Sequence, residues 1–130
     1  MRWLPLLTVP MLLIPASPAL AGPGEDAEAL VRASYFEGIP HEAVAALPPE
    51  ACPRLVALLA DPEAARAHAN VIEALGILDC PGSYDAIADY EARVGRGEVD
   101  RAAFRALRTC APAMGRLAAR DDRALAWLSA

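Results

Sequence analysis

The spacing of helix-breaking residues constrains the fold of this sequence more than any other feature. From residue 22 onward, Pro, Gly and the pairs Asp-Pro and Pro-Pro separate apolar runs that are each about one short helix long. Within a run, Leu, Ile, Val and Ala recur with the period of a helix that has one buried face. Paired runs recur about every 30 residues. Repeats of this period predict an α-solenoid of stacked antiparallel helix hairpins.

Composition favours helices over β-sheet. Hydrophobic residues make up 55% of the chain, but Ala supplies much of this share and aromatic residues supply only 5%. Ala forms helices best, whereas aromatic and β-branched residues favour strands. We therefore predict one all-α domain at residues 22–130, built of about three and a half stacked hairpins.

Residues 1–21 have the pattern of a secretory signal peptide. Arg2 precedes an apolar run, and Ala-Leu-Ala ends the segment as a small-residue cleavage site. The apolar run is too short, and too rich in Pro, for a stable membrane span. We predict cleavage after Ala21 and export of the mature chain, residues 22–130, to the periplasm or the outside of the cell. An uncleaved anchor is the alternative.

Local signals predict the helix ends. A first helix is expected over residues 25–38. Asp61 is a natural N-cap, and Pro62 suits the first position of the helix that follows. Asp100 can cap a helix over residues 101–110 in the same way. The side chains expected to face inward from the last helices are Ala103, Phe104, Leu107, Met114, Leu117, Leu125 and Leu128.

Three cysteines lie near predicted helix ends. Cys80 and Cys110 are 30 residues apart, and each is followed by Pro within two residues. We interpret them as the ends of equivalent helices and not as a repeated active site. Export favours disulfides, although an odd number leaves one cysteine over. Cys52–Cys80 is favoured because antiparallel helices place both at one end, with Cys80–Cys110 or three unpaired cysteines as alternatives.

The stretch LVALLADPEAARAHANVIEALGIL, residues 55–78, resembles a HEAT repeat. In that family a first helix ends in Leu-Leu, Asp-Pro opens a second helix, and the second helix carries an early Arg and a late Ala-Leu-Gly. The resemblance extends over roughly residues 48–128. It implies a scaffold that binds proteins, a bond between the Asp and the Arg, and a close helix contact at the Gly. The matching positions here are Leu58, Leu59, Asp61, Pro62, Arg66, Ala74, Leu75 and Gly76.

Charge is unevenly distributed along the mature chain. Residues 22–91 hold 13 acids and 3 Arg, whereas residues 92–130 hold 4 acids and 8 Arg. The first part is therefore strongly acidic and the second part mildly basic. An exported protein with this overall acidic balance is a poor candidate for binding nucleic acid.

A strip of arginines is the most suggestive surface feature. Arg101, Arg105 and Arg108 share one face of their predicted helix. We predict that this strip binds an acidic segment of a protein partner or another anionic polymer. The alternative is a solvated face whose arginines pair with acids of the preceding hairpin. Three later arginines are candidates to extend the strip, namely Arg116, Arg120 and Arg123.

The sequence has no recognisable pattern of catalytic residues. It contains no Cys-His signature, no Gly-x-Ser-x-Gly elbow and no phosphate-binding loop with Lys. We predict a non-enzymatic protein that needs no metal or cofactor. The alternative is a metal- or cofactor-binding helical module that uses Cys52, Cys80 and His68, although these residues lack the close spacing of zinc ligands.

The C-terminus is unusually apolar for the end of a repeat array. Trp127 and Leu128 lie almost at the last residue. Terminal repeats of solenoids need a polar outer face, and an exposed apolar end favours association. We therefore predict self-association through this end.

Overall fold

The computed structural model describes residues 22–130, and this part of the chain contains seven α-helices and no strand. The all-α prediction is confirmed. The predicted signal peptide, residues 1–21, lies outside the described residues. The helices are α1 (Pro23–Arg32), α2 (His41–Ala45), α3 (Cys52–Ala60), α4 (His68–Leu78), α5 (Ser83–Val94), α6 (Arg101–Leu117) and α7 (Asp122–Leu128).

The helices contact one another in two rows. In one row α3 contacts α1 and α5, and in the other row α4 contacts α2 and α6. Contacts of α3 with α4 and of α5 with α6 join the rows, and α7 packs on α6. The most extensive contact in the described chain is between α4 and α6. Between residues 22 and 130, no helix has the length and apolar character needed to cross a membrane.

Aspartate side chains begin three of the helical segments. The Asp61 carboxylate accepts a hydrogen bond from the Glu63 N–H at 2.9 Å, at the start of a 3₁₀ segment that leads into α4. The Asp100 carboxylate accepts from the Ala103 N–H at 2.8 Å, at the start of α6. Asp121 begins α7 in the same way. Each such cap satisfies a backbone donor that the helix leaves free and stabilises by about 1 kcal/mol.

The core centres on α4. Its side chains Val71, Ile72 and Leu75 are fully buried, as are Leu55 of α3 and Ile87 of α5. Burial of an aliphatic side chain of this size contributes about 1.5–3 kcal/mol. The two-sided burial of α4 agrees with its position between α2 and α6 within its row.

Gly76 allows α4 and α6 to approach closely. A Cβ atom built on Gly76 would lie 3.0 Å from both Cα and Cβ of Ala113 and 3.3 Å from its carbonyl oxygen. These neighbours are backbone or directly attached to it, so they cannot rotate away. The glycine that the HEAT resemblance marks therefore lies at a close contact between these two helices.

The first helix is shorter than predicted. It ends at Arg32 and does not continue to Gly38. Residues 33–38 form a loop in which Gly38 has φ of +94°, a conformation that favours glycine. The helix predicted after Asp61 also begins with a 3₁₀ segment, Pro62–Ala67, before α4 starts at His68.

The break predicted after Cys110 is wrong. Helix α6 runs without interruption from Arg101 to Leu117 and contains Pro112. The Pro112 ring lies on the exposed side of the helix, where water can hydrate the carbonyl that loses its helical partner. Cys80 follows the end of α4 whereas Cys110 lies inside α6, so the two cysteines do not end equivalent helices.

The continuous α6 has a different buried face from the one expected. Phe104 is 55% exposed, and Ala103 and Leu107 are only half-buried. Leu125 and Leu128 of α7 are also exposed, at 54% and 40%. Met114 and Leu117 are buried as expected. The buried residues of the last two helices are Ala106, Cys110, Ala113, Met114, Leu117 and Ala124.

Candidate functional site

Cys52 and Cys80 form a disulfide in the structure. Their Cα atoms are 5.7 Å apart, and the bond links the first residue of α3 to the turn after α4. Both residues are buried. The bond closes a loop with a sequence separation of 28. In the chain-entropy model a loop of this size stabilises the fold by roughly 3–4 kcal/mol.

Cys110 is a free cysteine in the interior. Its thiol lies within hydrogen-bond range of the Ala106 carbonyl, at 3.6 Å. Burial raises the pKa of the Cys110 thiol to about 12, and the charge of Glu91 acts in the same direction. The sulfur is therefore a protonated thiol near neutral pH, without the thiolate character that nucleophiles and metal ligands need.

His68 joins the end of α3 to the start of α4. Its Nε2 donates to the Leu58 carbonyl and to the Asp61 carbonyl, both at 2.9 Å. Its ring meets the Tyr90 ring edge to face, with centroids 5.2 Å apart. His68 is thus a buried residue whose Nε2 is fully used in structural hydrogen bonds.

These contacts bear on the alternative metal site. The sulfurs of Cys52 and Cys80 are bonded to each other, and His68 directs Nε2 at two carbonyl oxygens. Within residues 22–130, no group of three or more His, Cys, Asp or Glu side chains is placed to hold a metal ion. Cys52 and Cys80 are therefore bonded to each other, and His68 is hydrogen-bonded to the backbone.

The described surface contains an open groove of about 640 Å³. Residues from the end of α1, the 33–38 loop, α4 and α6 meet there. A second depression of about 310 Å³ adjoins it and shares Gly38, Ala69, Asn70 and Arg105 with it. We call the two together the basic groove, and its arginines are Arg32, Arg66, Arg101, Arg105 and Arg108.

Four of these arginines carry uncompensated charge. Arg66, Arg101, Arg105 and Arg108 are exposed and form no ion pair within residues 22–130. Residues 1–21 contain no Asp or Glu. The groove is therefore a site of concentrated positive charge on a protein whose overall charge is negative.

The other charged side chains of the groove already have partners. Arg32 donates to Glu28 at 2.8 Å, and Glu28 also accepts from Arg54. The hydrogen bond from Arg54 has the larger effect and the one from Arg32 the smaller, and both hold the pKa of the Glu28 carboxyl below its usual value. Glu73, a carboxylate at the second depression, pairs with His41 at 2.7 Å. Neither carboxylate forms an ion pair with the four arginines.

The 33–38 loop forms the rim of the groove and is held by specific hydrogen bonds. Asn70 of α4 donates from Nδ2 to the Ala33 carbonyl of the loop at 3.4 Å and to the Val31 carbonyl near the end of α1 at 3.0 Å. The Tyr35 hydroxyl donates to the Leu30 carbonyl at 2.7 Å. Phe36, the next residue, lines the groove and is 104% exposed, so its whole ring is open to a ligand.

Two of the later arginines proposed to extend the strip, Arg116 and Arg120, line neither depression of the basic groove. Arg116 is exposed near the end of α6 and lines neither depression. Arg120 lies 3.8 Å from Asp79. Both side chains are therefore outside the basic groove.

Arg123 belongs to a separate cluster on α5 and α7. It pairs with Asp121 at 2.9 Å and with Asp85 at 3.3 Å, and it lies 4.5 Å from the centre of the Tyr84 ring. Hydrogen bonds from Arg123 hold the pKa of the Asp121 carboxyl below its usual value. The alternative of arginines paired with acids of a neighbouring helix therefore describes this cluster and not Arg101, Arg105 and Arg108.

The bond expected between Asp61 and Arg66 does not form. The Asp61 carboxylate accepts from the Glu63 backbone, and the two side chains make no ion pair in the part of the chain that the structure describes. Arg66 instead lines the basic groove. Periodicity along α6 was enough to group Arg101, Arg105 and Arg108, but nothing in the sequence linked them to Arg66, Asn70 or Phe36.

Comparison with known proteins gives no further guide to the function. The chain matches no protein-family model, no curated protein and no solved structure. The geometry of the basic groove is therefore the main basis for a functional proposal.

Proposed function

We propose that the mature chain is an exported, non-enzymatic binding protein with a HEAT-like solenoid fold, which holds an acidic segment of a protein partner in the basic groove. The observation that carries this proposal is the convergence of Arg66, Arg101, Arg105 and Arg108 on one groove without carboxylate partners. Guanidinium groups bind carboxylates through charge-assisted and often bidentate hydrogen bonds, so an acidic chain is the complementary ligand.

The order of helix contacts supports a solenoid of stacked hairpins. In such a fold, alternate helices form two rows and each helix contacts the equivalent helix of the next hairpin. Here α1, α3 and α5 follow one another in one row, and α2, α4 and α6 follow one another in the other. With α7 as a final single helix, the count agrees with about three and a half hairpins.

The disulfide supports export. A Cys52–Cys80 bond persists in an oxidising compartment and is rare in the cytosol. It joins two helix ends at one side of the α3–α4 pair and leaves the groove residues untouched. A secretory signal at residues 1–21 and a structural disulfide thus favour the same compartment.

The energetics of charge alone predict weak, salt-sensitive binding. An exposed ion pair contributes about 0.2–1 kcal/mol, so four of them supply at most about 4 kcal/mol. That free energy corresponds to a Kd of about 1 mM. Added salt screens such contacts because the Debye length falls to about 8 Å at physiological ionic strength.

The experiment is a titration of a labelled acidic peptide with residues 22–130, followed by fluorescence anisotropy at low salt. We expect the variant Arg101→Ala/Arg105→Ala/Arg108→Ala to bind at least about tenfold more weakly. The matched control, Arg93→Ala/Arg96→Ala/Arg116→Ala, removes the same charge outside the groove and is expected to bind like the wild type. Equal loss in both variants would refute a specific role for the groove.

A second candidate function is assembly of copies of this chain through α7. Leu125 and Leu128 are 54% and 40% exposed beside the half-buried Trp127. An apolar helix face at the end of a stack is the usual position for another repeat. This candidate involves a surface separate from the basic groove, so the two functions are compatible.

A further inference from the structure

We infer that the segment held by the basic groove is a short extended acidic stretch with one apolar side chain, and that this side chain packs against Phe36. The inference rests on the proposed function, because it specifies the chemistry of the same ligand. It adds an apolar specificity contact to a site otherwise defined by charge.

Phe36 has the properties of a preorganised apolar contact. Its ring is 104% exposed, although its neighbours fix the loop that carries it. The Tyr35 hydroxyl donates to the Leu30 carbonyl, and Asn70 donates to the Ala33 carbonyl. An aromatic side chain on a fixed loop can be covered by a ligand without a large loss of backbone entropy. Aromatic residues and Arg are also the most frequent hot spots of protein interfaces.

The size of the arginine strip indicates a short ligand. Arg101 and Arg108 are seven residues apart on α6, which at about 1.5 Å per residue is roughly 10 Å. An extended chain rises about 3.3 Å per residue, so three or four residues cover this length. Its alternate side chains are about 6.6 Å apart. This spacing resembles the distance of about 6 Å along the axis between Arg101 and Arg105.

Charge and length favour a segment of a partner protein over a long polyanion. The chain has 17 acids against 12 basic residues, whereas the groove is lined by Arg66, Arg101, Arg105 and Arg108, which have no carboxylate partner within residues 22–130. A polyanion much longer than the groove would be repelled by the net charge of −5 of the chain as a whole. Residues 1–21 contain no Asp or Glu and therefore lack the complementary charge.

The test uses two peptides that differ in one side chain. The first is Phe-Ser-Glu-Ser-Glu-Ser-Glu with a fluorescent label, and the second has Ser in place of the Phe. We expect wild-type residues 22–130 to bind the Phe peptide about tenfold more tightly than the Ser peptide. In the Phe36→Ser variant, this preference for the Phe peptide over the Ser peptide should disappear.

The matched control is Leu125→Ser, which removes another exposed apolar side chain, at 54% exposure, away from the groove. We expect it to keep the wild-type preference. A preference for the Phe peptide that survives Phe36→Ser, or that is absent from the wild type, would overturn the inference. The proposed function would still be supported if the Ser peptide binds in a way that depends on the arginines. Failure of both peptides to bind the wild type would overturn the proposed function and the inference together.

Discussion

Gly76 and Ala113 bring the backbones of α4 and α6 into direct contact. A Cβ atom on Gly76 would lie 3.0 Å from Cα and Cβ of Ala113, closer than side chains normally pack. This contact lies within the most extensive helix–helix interface of the described chain. Asn70 of α4 lines the basic groove together with Arg101 and Arg105 of α6. The separation of these two helices therefore also sets the width of the groove.

The first prediction concerns this contact. Replacing Gly76 by Ala should destabilise the protein by about 1–3 kcal/mol, because the added methyl group meets backbone that can move only if α6 shifts. Ala has a better helix propensity than Gly, and this difference offsets the loss by at most about 1 kcal/mol. Urea denaturation followed by circular dichroism measures the difference.

Gly115 provides the matched control for Gly76. It lies in the same helix pair, in α6, and a Cβ atom there would meet nothing within 4 Å. Gly115→Ala should therefore stabilise the protein by about 0.5–1 kcal/mol through helix propensity alone. If both variants changed stability in the same direction, steric contact at Gly76 would not be the deciding effect.

The second prediction concerns the disulfide. The double variant Cys52→Ala/Cys80→Ala should lose roughly 3–4 kcal/mol, since the unfolded chain is no longer constrained by the closed loop. For a domain of this size each kcal/mol lowers Tm by about 4–8 °C. Thermal melts with and without a reducing agent measure the change. The Cys110→Ala variant should retain the full sensitivity to reductant, and a wild-type melt that reductant leaves unchanged would contradict the prediction.

The third prediction concerns His68. The variant His68→Ala removes the donor shared by the Leu58 and Asp61 carbonyls and leaves a cavity beside Tyr90. We expect a loss of about 2–4 kcal/mol, because the Leu58 and Asp61 carbonyls each keep only a backbone donor and the packing against Tyr90 is lost. His41→Ala, which removes only an exposed ion pair with Glu73, should cost less than about 1 kcal/mol. Chemical denaturation of both variants gives the comparison.

The fourth prediction concerns Cys110. Its folded-state pKa of about 12 lies above the ordinary thiol value, so the native protein binds the proton more tightly than the unfolded chain. The protonated Cys110 thiol therefore contributes fully to the stability of the fold below the thiol pKa of the unfolded chain, about 8.5. This contribution is lost as pH rises from there toward the pKa of the folded protein. Native Cys110 should also resist a thiol reagent at pH 8 and react fully in denaturant. Rapid labelling of the native protein would disprove this account.

The sequence predicted those features that depend on local interactions. Asp61 and Asp100 begin helical segments because an aspartate side chain satisfies a nearby backbone N–H, and this requires no knowledge of the rest of the fold. The Arg101–Arg108 strip is likewise local, since helical periodicity places its members on one face.

The features that the sequence did not predict depend on contacts between distant segments. Pro112 normally indicates a helix end, but its exposed position lets α6 continue past it. Dividing α6 at Cys110 made Phe104 part of the apparent apolar stripe, whereas the full helix shows a stripe through Ala106, Cys110 and Leu117. The stripe is visible only when the length of the helix is known.

The candidate site shows the same limit. The sequence predicts a helix at Phe36, but this residue lies in a loop. The HEAT resemblance implies a bond between Arg66 and Asp61, but Arg66 lines the groove. Both Phe36 and Arg66 reach the groove because α1 contacts α4 and the 3₁₀ segment Pro62–Ala67 contacts α6. Sequence separation of more than 30 residues between Arg66 and Arg101 leaves no local pattern that would group them.

The last prediction concerns self-association through α7. Leu125 and Leu128 are exposed next to Trp127, whereas Ala124 alone of this helix is buried against the core. Covering the two leucines removes apolar surface from water and favours association of copies at this end. Sedimentation velocity of residues 22–130 over about a hundredfold range of concentration should show a reversible shift to a larger species. The variant Leu125→Ser/Leu128→Ser should remain a monomer with a melting curve close to that of the wild type, because 54% of Leu125 and 40% of Leu128 are already exposed to water. Phe36→Ser should associate like the wild type, and a wild-type protein that stays monomeric across the whole range would exclude α7 as a contact between copies.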